Sequence, residues 1–315
     1  MAKDFIKLKE KLAIMKQQNN WTTTKTIKDF LKQNDIAFQE NYDFYDMTFD
    51  IYIPEYKLAI DILYVNKHNE QALASLFDMC QYDIKKMFHI KAIKCKQFNI
   101  HHIFIWDYMW NDDRQRAIIQ SLILNCTGKS QHSVMARKTY IKVLRAFDTR
   151  QFFQENNMQG YRVAKDAICL FDKETNELLM SYTIGHAYFG KGKYDLEIAR
   201  GACKLGHHII GGTSKLWNYI INNYAPGKSI VYYVDLNYFN GRSLDKLCEQ
   251  FPDMHYISAK YSFKNWFVEE QKMKNRDPMH HKDICKLVDE GKILTCWDAG
   301  SLVYVYSKND TSSKI

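Results

Sequence analysis

The stretch Phe49-Asp50-Ile51-Tyr52-Ile53-Pro54-Glu55-Tyr56-Lys57-Leu58-Ala59-Ile60-Asp61 decides how this chain is read. Aromatic and β-branched residues flank Pro54-Glu55-Tyr56, which predicts two strands joined by a tight turn. Asp50 and Asp61 are 11 positions apart on these neighbouring antiparallel strands, so register can set the two carboxylates side by side. A carboxylate pair on a rigid sheet suits a hard ion such as Mg²⁺ or Mn²⁺, which takes one or two carboxylates and leaves its other positions to water and substrate phosphate. The same acids also fit a plainer role as surface residues on an edge strand.

Working outward, Asp4 to Gln18 and Thr23 to Lys32 carry apolar residues at helical spacing, and two helices are expected to open the chain. Ile36-Ala37-Phe38, Met47 to Ile53 and Lys57 to Tyr64 read as strands, Glu70 to Phe98 as helix, Ile100 to Trp106 as a nearly all-apolar strand and Arg114 to Leu124 as helix. That order predicts an α/β domain over 1–128 with a central mixed sheet flanked by helices. Thr127 to Gln131 reads as a boundary, and Ser133 to Phe147 as a short basic helix within a linker over 129–150. From Gln151 a second α/β domain over 151–315 is expected. In it, Ala167 to Phe171 and Leu178 to Tyr182 form a hairpin, Leu196 to Lys204 is a strand or short helix, and Lys215 to Asn222 is a helix. Ser229 to Val234 and Leu302 to Tyr306 read as strands, with Leu244 to Gln250 helical between them.

Across 315 residues, 44 Lys and Arg against 36 Asp and Glu give a formal charge of +8, with 46% apolar and 25% charged residues. These are ordinary globular proportions that exclude a mainly disordered or collagen-like chain. The N-terminus alternates charge with apolar residues, and no window approaches the ~20 apolar residues of a membrane span. The eight cysteines include no Cys-x-x-Cys pair, so a protein of the cell interior with reduced thiols is expected. Between Tyr82 and Arg150 stand 13 Lys and Arg against 5 Asp, a local excess of the kind that binds a phosphate backbone. Solvated helix faces would give the same count.

Other residues extend the carboxylate pair. His68 follows Asp61 by seven positions, His89 and Lys91 precede Lys94 and Lys96, and Asp107 ends the apolar strand. In the second half, Ile209-Ile210-Gly211-Gly212-Thr213-Ser214-Lys215-Leu216 sets a glycine pair, hydroxyls and a lysine at a helix start. Such a terminus favours an anionic group, whether a DNA phosphate or a cofactor pyrophosphate, although the glycines also suit simple helix packing. Tyr224, Tyr232, Tyr233, Tyr238, Phe239 and Tyr261 are candidates for stacking on bases. Lys272, Lys274 and Arg276 form a second basic run before His280-His281 and Cys285, which lack partners at zinc-site spacing.

The stretch from Phe49 to Trp110 resembles phage-encoded homing-type endonucleases related to very-short-patch repair enzymes, members of the PD-(D/E)XK nuclease fold. Asp50-Ile51-Tyr52-Ile53-Pro54, Leu58-Ala59-Ile60, His68, His89 and Trp110 fall on that family's pattern, and Asp107 stands where it has an acid. Asn157-Met158-Gln159-Gly160, Gly211 to Leu216, Tyr233-Val234-Asp235 and Cys296 to Gly300 resemble segments of the family's C-terminal half. This sequence departs from the pattern in having Asp61 for a glutamate, Ile62-Leu63-Tyr64 for Phe-Asn-Gly, and Ala92, beside Lys91, for a lysine.

The resemblance implies a Mg²⁺-dependent endonuclease acting on double-stranded DNA, in the host cytoplasm if the gene is carried by a phage, with a second copy of the chain as a candidate partner. Asp50 and Asp61 would hold the metal, His68 or His89 would position water or protonate the leaving oxygen, and Lys91 would face the scissile phosphate. Lys94, Lys96, Arg137, Lys138, Lys142 and Arg145, with Gly211, Gly212, Thr213, Ser214 and Lys215, would meet DNA. The departures leave a catalytically inactive DNA-binding or anti-defence protein as the alternative. The Gly211 to Leu216 block, which loosely resembles acetyltransferase-like phage DNA-modification enzymes, adds a DNA-modifying acyltransferase as a third reading.

Overall fold

In the computed structural model the described residues are 22–77, 81–188, 192–260, 263–268, 273–274, 286–287, 290–291 and 293–307. The helix expected over Asp4 to Gln18, and the segment with Lys272, Arg276, His280, His281 and Cys285, lie outside them except in part. The chain is α/β and divides into two compact units, one of residues 1–116, 235–240 and 260–301, the other of 117–234, 241–259 and 302–315. The last third of the chain thus supplies residues to both.

The first unit opens with helix α1 (22–33) and continues through β1 (Gln39–Phe44), β2 (Met47–Ile53) and β3 (Leu58–Leu63). Residues 36–38, expected as strand, are irregular chain leading into β1. Pro54 starts a 3-10 turn that ends with Lys57 in the left-handed region, and this closes the β2–β3 hairpin where the sequence places it. Helices α2 (Val65–His68), α3 (Glu70–Phe77) and α4 (Gln81–Gln97) follow, then β4 (His101–Trp106) and the short helix α5 (Asp107–Asn111). The sheet order is β1-β2-β3-β4, antiparallel through β3 and parallel between β3 and β4. All six residues of β3 are buried, as expected of a strand between two neighbours with both faces covered. Phe49, Ile51, Ile60, Ile103 and Phe104 form its solvent-free core.

Helix α6 (Asp113–Cys126) leads into β5 (His132–Met135), β6 (Thr139–Arg145) and α7 (Arg150–Asn156). The basic helix expected over Ser133 to Phe147 is therefore two strands around a 3-10 turn. Tyr140, Ile141 and Val143 suit extended chain better than helix, and β6 pairs along its whole length with β7 (Asp166–Asp172). As the outer strand of its sheet it carries exposed charge without cost.

Next come β8 (Leu178–His186), β9 (Leu196–Cys203), β10 (His207–Ile210), α8 (Gly212–Tyr224), β11 (Ile230–Asp235) and α9 (Arg242–Gln250). The remaining strands are β12 (Met254–Lys260), β13 (Phe263–Val268), β14 (Met273–Lys274), β15 (Ile293–Trp297) and β16 (Ser301–Tyr306). The second unit is built on a seven-stranded sheet ordered β12-β16-β11-β9-β8-β7-β6, beside a two-stranded pair β10-β5, whereas β14-β13-β15 form a separate small sheet. Strands β6 to β9 are an antiparallel meander, and β9 pairs in parallel with β11 only from Leu196 to Ile198. Ala199 falls between the pairs Thr183–Arg200 and Ile184–Ile198 and so forms a bulge at the point where β11 leaves.

Gly201 follows that bulge. A Cβ there would sit 2.5 Å from Tyr182 Cε1 and 2.9 Å from the Tyr232 hydroxyl. Tyr182 is buried and Tyr232 half-buried with its ring 5.8 Å from that of Tyr182, so Gly201→Ala should destabilise the second unit by about 1–3 kcal/mol, measured as a fall in the denaturation midpoint; an unchanged midpoint would show that the rings yield freely.

Candidate active site

Register assembles the site. Ile51 pairs with Ile60 across β2 and β3, so Asp50 stands opposite Asp61, as the spacing of the two acids predicts. Each acid reaches the other's strand: the Asp50 main-chain N–H donates to Asp61 Oδ1 at 3.3 Å, and the Ile62 N–H donates to Asp50 Oδ2 at 2.6 Å. Neither β2 nor β3 is an edge strand, but the two acids differ in depth: Asp50 is exposed, as the plainer reading expects, whereas Asp61 is only 6% exposed.

A carboxylate this deep requires compensation, and two side chains supply it. Lys91, on α4, forms an ion pair with Asp61 Oδ2 and also donates to the Thr48 carbonyl at 2.6 Å. Its ammonium lies over the Phe49 ring at 5.1 Å. His102, on β4, places Nε2 2.9 Å from the same carboxylate oxygen. Burial alone would raise the Asp61 pKa, but His102 and Lys91 outweigh it and hold the group down at about 2. Asp50 behaves oppositely, because burial lifts its pKa and the charge of Asp61 adds to the lift, against a smaller pull from the Ile62 N–H and Lys91.

His102 is the residue that sequence reasoning missed. Its signal was a histidine inside the apolar strand β4, where it is buried with its ring 4.1 Å from Phe104 and 5.6 Å from Phe49. Its Nδ1 is buried without a hydrogen-bond partner. Nε2, which faces the Asp61 carboxylate, is therefore the ring nitrogen placed to donate its N–H to that acid.

The other expected residues are placed less centrally. His68 ends α2 and accepts the Tyr64 N–H on Nδ1 at 2.9 Å; burial lowers its pKa, against the Tyr64 main chain and the charge of Asp61. His89 is two residues before Lys91, on another side of α4, and directs Nδ1 to the Ala299 carbonyl at 2.8 Å. Asp107 accepts the Tyr108 N–H at 2.9 Å and has its pKa raised by burial. Lys94 pairs with Asp46, and Lys96 donates to the Asn240 carbonyl at 2.8 Å.

In the second unit, Arg137, Lys138 and Lys142 are exposed, and Arg145 pairs with Asp148 at 2.8 Å. Gly211, in the left-handed region, caps α8. Gly212 is packed so closely that a Cβ would meet Met180 Sδ at 2.7 Å, and Thr213 bonds to the Tyr182 hydroxyl. Lys215 turns inward, donating to the Ala136 carbonyl at 2.8 Å and the Thr139 carbonyl at 2.5 Å. Its ammonium therefore ties α8 to the start of β6, while Ser214 is half-buried in the first turn of the helix.

Among the described residues no group of three or more His, Cys, Asp or Glu is arranged to hold a metal ion, and no helix is long and apolar enough to cross a membrane. No protein-family model matches this chain, and no curated protein matches it.

The two aspartates differ in what they contribute to stability. Asp61 has a depressed folded-state pKa, so its contribution is complete above the unfolded value near 4 and is lost as pH falls toward 2, amounting to about 2 kcal/mol. Asp50 has a raised pKa, so its ionisation opposes folding as pH rises through that value. At pH 7, Asp61→Asn should therefore lower the unfolding free energy by about that amount while Asp50→Asn leaves it unchanged or raises it. Urea unfolding of the two variants checks this, and equal losses would refute it.

Proposed function

We propose that the first unit is a metal-dependent endodeoxyribonuclease centre built on Asp50, Asp61 and Lys91. The observation that carries this reading is the convergence of two facing carboxylates and an ammonium from three separate elements, β2, β3 and α4. The mixed sheet, with three antiparallel strands and a parallel fourth, is what the resemblance to PD-(D/E)XK nucleases leads one to expect. Lys91 supplies from α4 the ammonium that Ala92 does not.

The residues fit a hard divalent ion. Two facing carboxylates, one with its pKa raised partly by the charge of the other, are relieved by a cation between them, and Mg²⁺ needs no third side-chain ligand. Bound there, Mg²⁺ or Mn²⁺ supplies an activated water and charge stabilisation at the departing oxygen. Asp50 and Asp61 would hold the ion, His102 fixes the Asp61 carboxylate in place, and Lys91, paired with Asp61 in the free protein, would neutralise the scissile phosphate. His68, within the field of Asp61, is the candidate histidine for orienting water or passing a proton to the leaving oxygen.

Nicking of supercoiled plasmid with Mg²⁺, Mn²⁺ or EDTA tests the reading. Cleavage should need the metal and fall more than about 100-fold in Asp50→Ala, since even residues behind the metal ligands cost 10–100-fold. Gel-shift affinity in EDTA should be unchanged. Binding without cleavage under any metal would replace this reading with an inactive DNA-binding protein.

The parting of β9 and β11 favours a second activity, acyl transfer by the second unit. Parallel strands that separate at a bulge offer main-chain edges to an extended, amide-bearing donor, beside the N-terminus of α8. A mass increase of DNA incubated with an acyl-thioester donor and this protein is the expected result, and an unchanged mass would remove this reading.

A further inference from the structure

Outside the sites above, one arrangement in the second unit combines a buried charge with exposed planar groups. Glu197, on β9, is 2% exposed. Its Oε1 receives Arg162 Nη1 at 2.6 Å, and its Oε2 accepts the Tyr188 main-chain N–H at 2.9 Å. The Arg162 guanidinium lies 5.1 Å from the centre of the Tyr188 ring, and that ring is 70% exposed.

The chain before Arg162 is fixed by the motif Asn157-Met158-Gln159-Gly160. Asn157 donates to the Gly201 carbonyl at 2.9 Å and accepts the Gln159 N–H at 2.9 Å, while Arg200 Nε donates to the Gly160 carbonyl at 3.1 Å. Gly160, at φ +69°, makes the turn. Two segments far apart in sequence are thus clamped to β9, with the result that an aromatic ring backed by a cation is held in solvent.

A large exposed ring organised by a buried ion pair costs desolvation and side-chain freedom that an ordinary surface does not require, which marks a recognition surface. The two segments that meet here carry Arg162 and Lys165 in one and Lys193 in the other along the sequence, and Val163 is 82% exposed. Asp195, the acid in this loop, is occupied by the Ser229 N–H and hydroxyl. A π-face, a guanidinium and surrounding positive charge match a nucleobase on its phosphodiester chain, since every base presents a stacking face and arginine adds cation–π attraction.

We infer that Tyr188, backed by Arg162 and Glu197, is a stacking platform for an unpaired nucleobase of single-stranded or locally opened DNA. The site is separate from the Asp50–Asp61 centre and does not depend on its being a nuclease. Sequence reading selected other aromatics: Phe239 is exposed, Tyr238 is buried, Tyr224, Tyr232 and Tyr233 are half-buried, and Tyr261 lies outside the described residues.

Fluorescence anisotropy of the full-length protein in EDTA, with a labelled single-stranded oligonucleotide and a matched one of abasic sites, tests the platform. Wild type should bind the intact strand about tenfold more tightly or better. Tyr188→Ala should lose that preference while retaining its affinity for the abasic strand, and Tyr188→Phe should keep it. Glu197→Gln, which loosens Arg162 and the Tyr188 loop together, should weaken it. Equal wild-type affinity for the two strands, or a preference that survives Tyr188→Ala, would assign binding to phosphate contacts alone and overturn the proposal. Because cleavage is silent in EDTA, either result leaves the nuclease reading untouched.

Discussion

The first unit depends on holding an ionised carboxylate inside a sheet. Asp61 lies in the middle of β3, where every neighbour along the strand is apolar and buried, and it is ionised there only because Lys91 and His102 converge on one of its oxygens. That requirement reaches well beyond one residue. It sets which side of α4 faces the sheet, since the lysine must arrive from the helix, and it turns Nε2 of the histidine on β4 toward the acid. It also explains why the facing acid is the one with a raised pKa: the available positive charge is directed at Asp61, and Asp50 is left with main-chain donors and a like-charged neighbour. One acid is locked into the core by its partners, and the other is left with the less favourable electrostatics.

The second unit uses a buried acid for a different end. Glu197 also draws a cation and a main-chain donor, but its partners belong to two loops, and the planar group they order points into water. Removing charge from Asp61 would leave its partners unsatisfied inside a core; removing it from Glu197 would release two surface segments. The same pairing rule therefore makes a closed centre in one unit and an open platform in the other.

The hairpin around Pro54 and the closeness of Asp50 and Asp61 were legible in the sequence, because a period-two pattern broken by a turn fixes register and register fixes which side chains meet. The β7–β8 hairpin and helices α8 and α9 were legible for similarly local reasons. The segment 133–147 was not: its lysines and arginines suggested a solvated helix, whereas the competing signal from Tyr140, Ile141 and Val143 gains its force from a partner strand more than twenty residues away. His102 and Glu197 were also illegible, since a single polar residue among apolar ones acquires meaning only when the fold shows what it faces. The departure at Ala92 looked like a lost lysine until α4 brought Lys91 to the carboxylate, a substitution in space that no linear motif records.

Charge counted along the sequence also differs from charge available to a ligand. Lys91 is committed to Asp61, Lys94 to Asp46, Lys96 to a carbonyl, Arg116 to Asp113 and Arg145 to Asp148, so part of the cationic charge between Tyr82 and Arg150 serves the protein's own acids and main chain, as Lys215 serves the start of β6. Arg137, Lys138 and Lys142 stand outside those pairings, on or beside an edge strand. Counterion release scales with the phosphates neutralised, so a chain deployed in this way gains less salt-sensitive affinity than its net charge suggests. In the proposed DNA complex a larger share of recognition would then come from contacts that salt does not screen, and a rigid aromatic face backed by an arginine would be a contact of that kind.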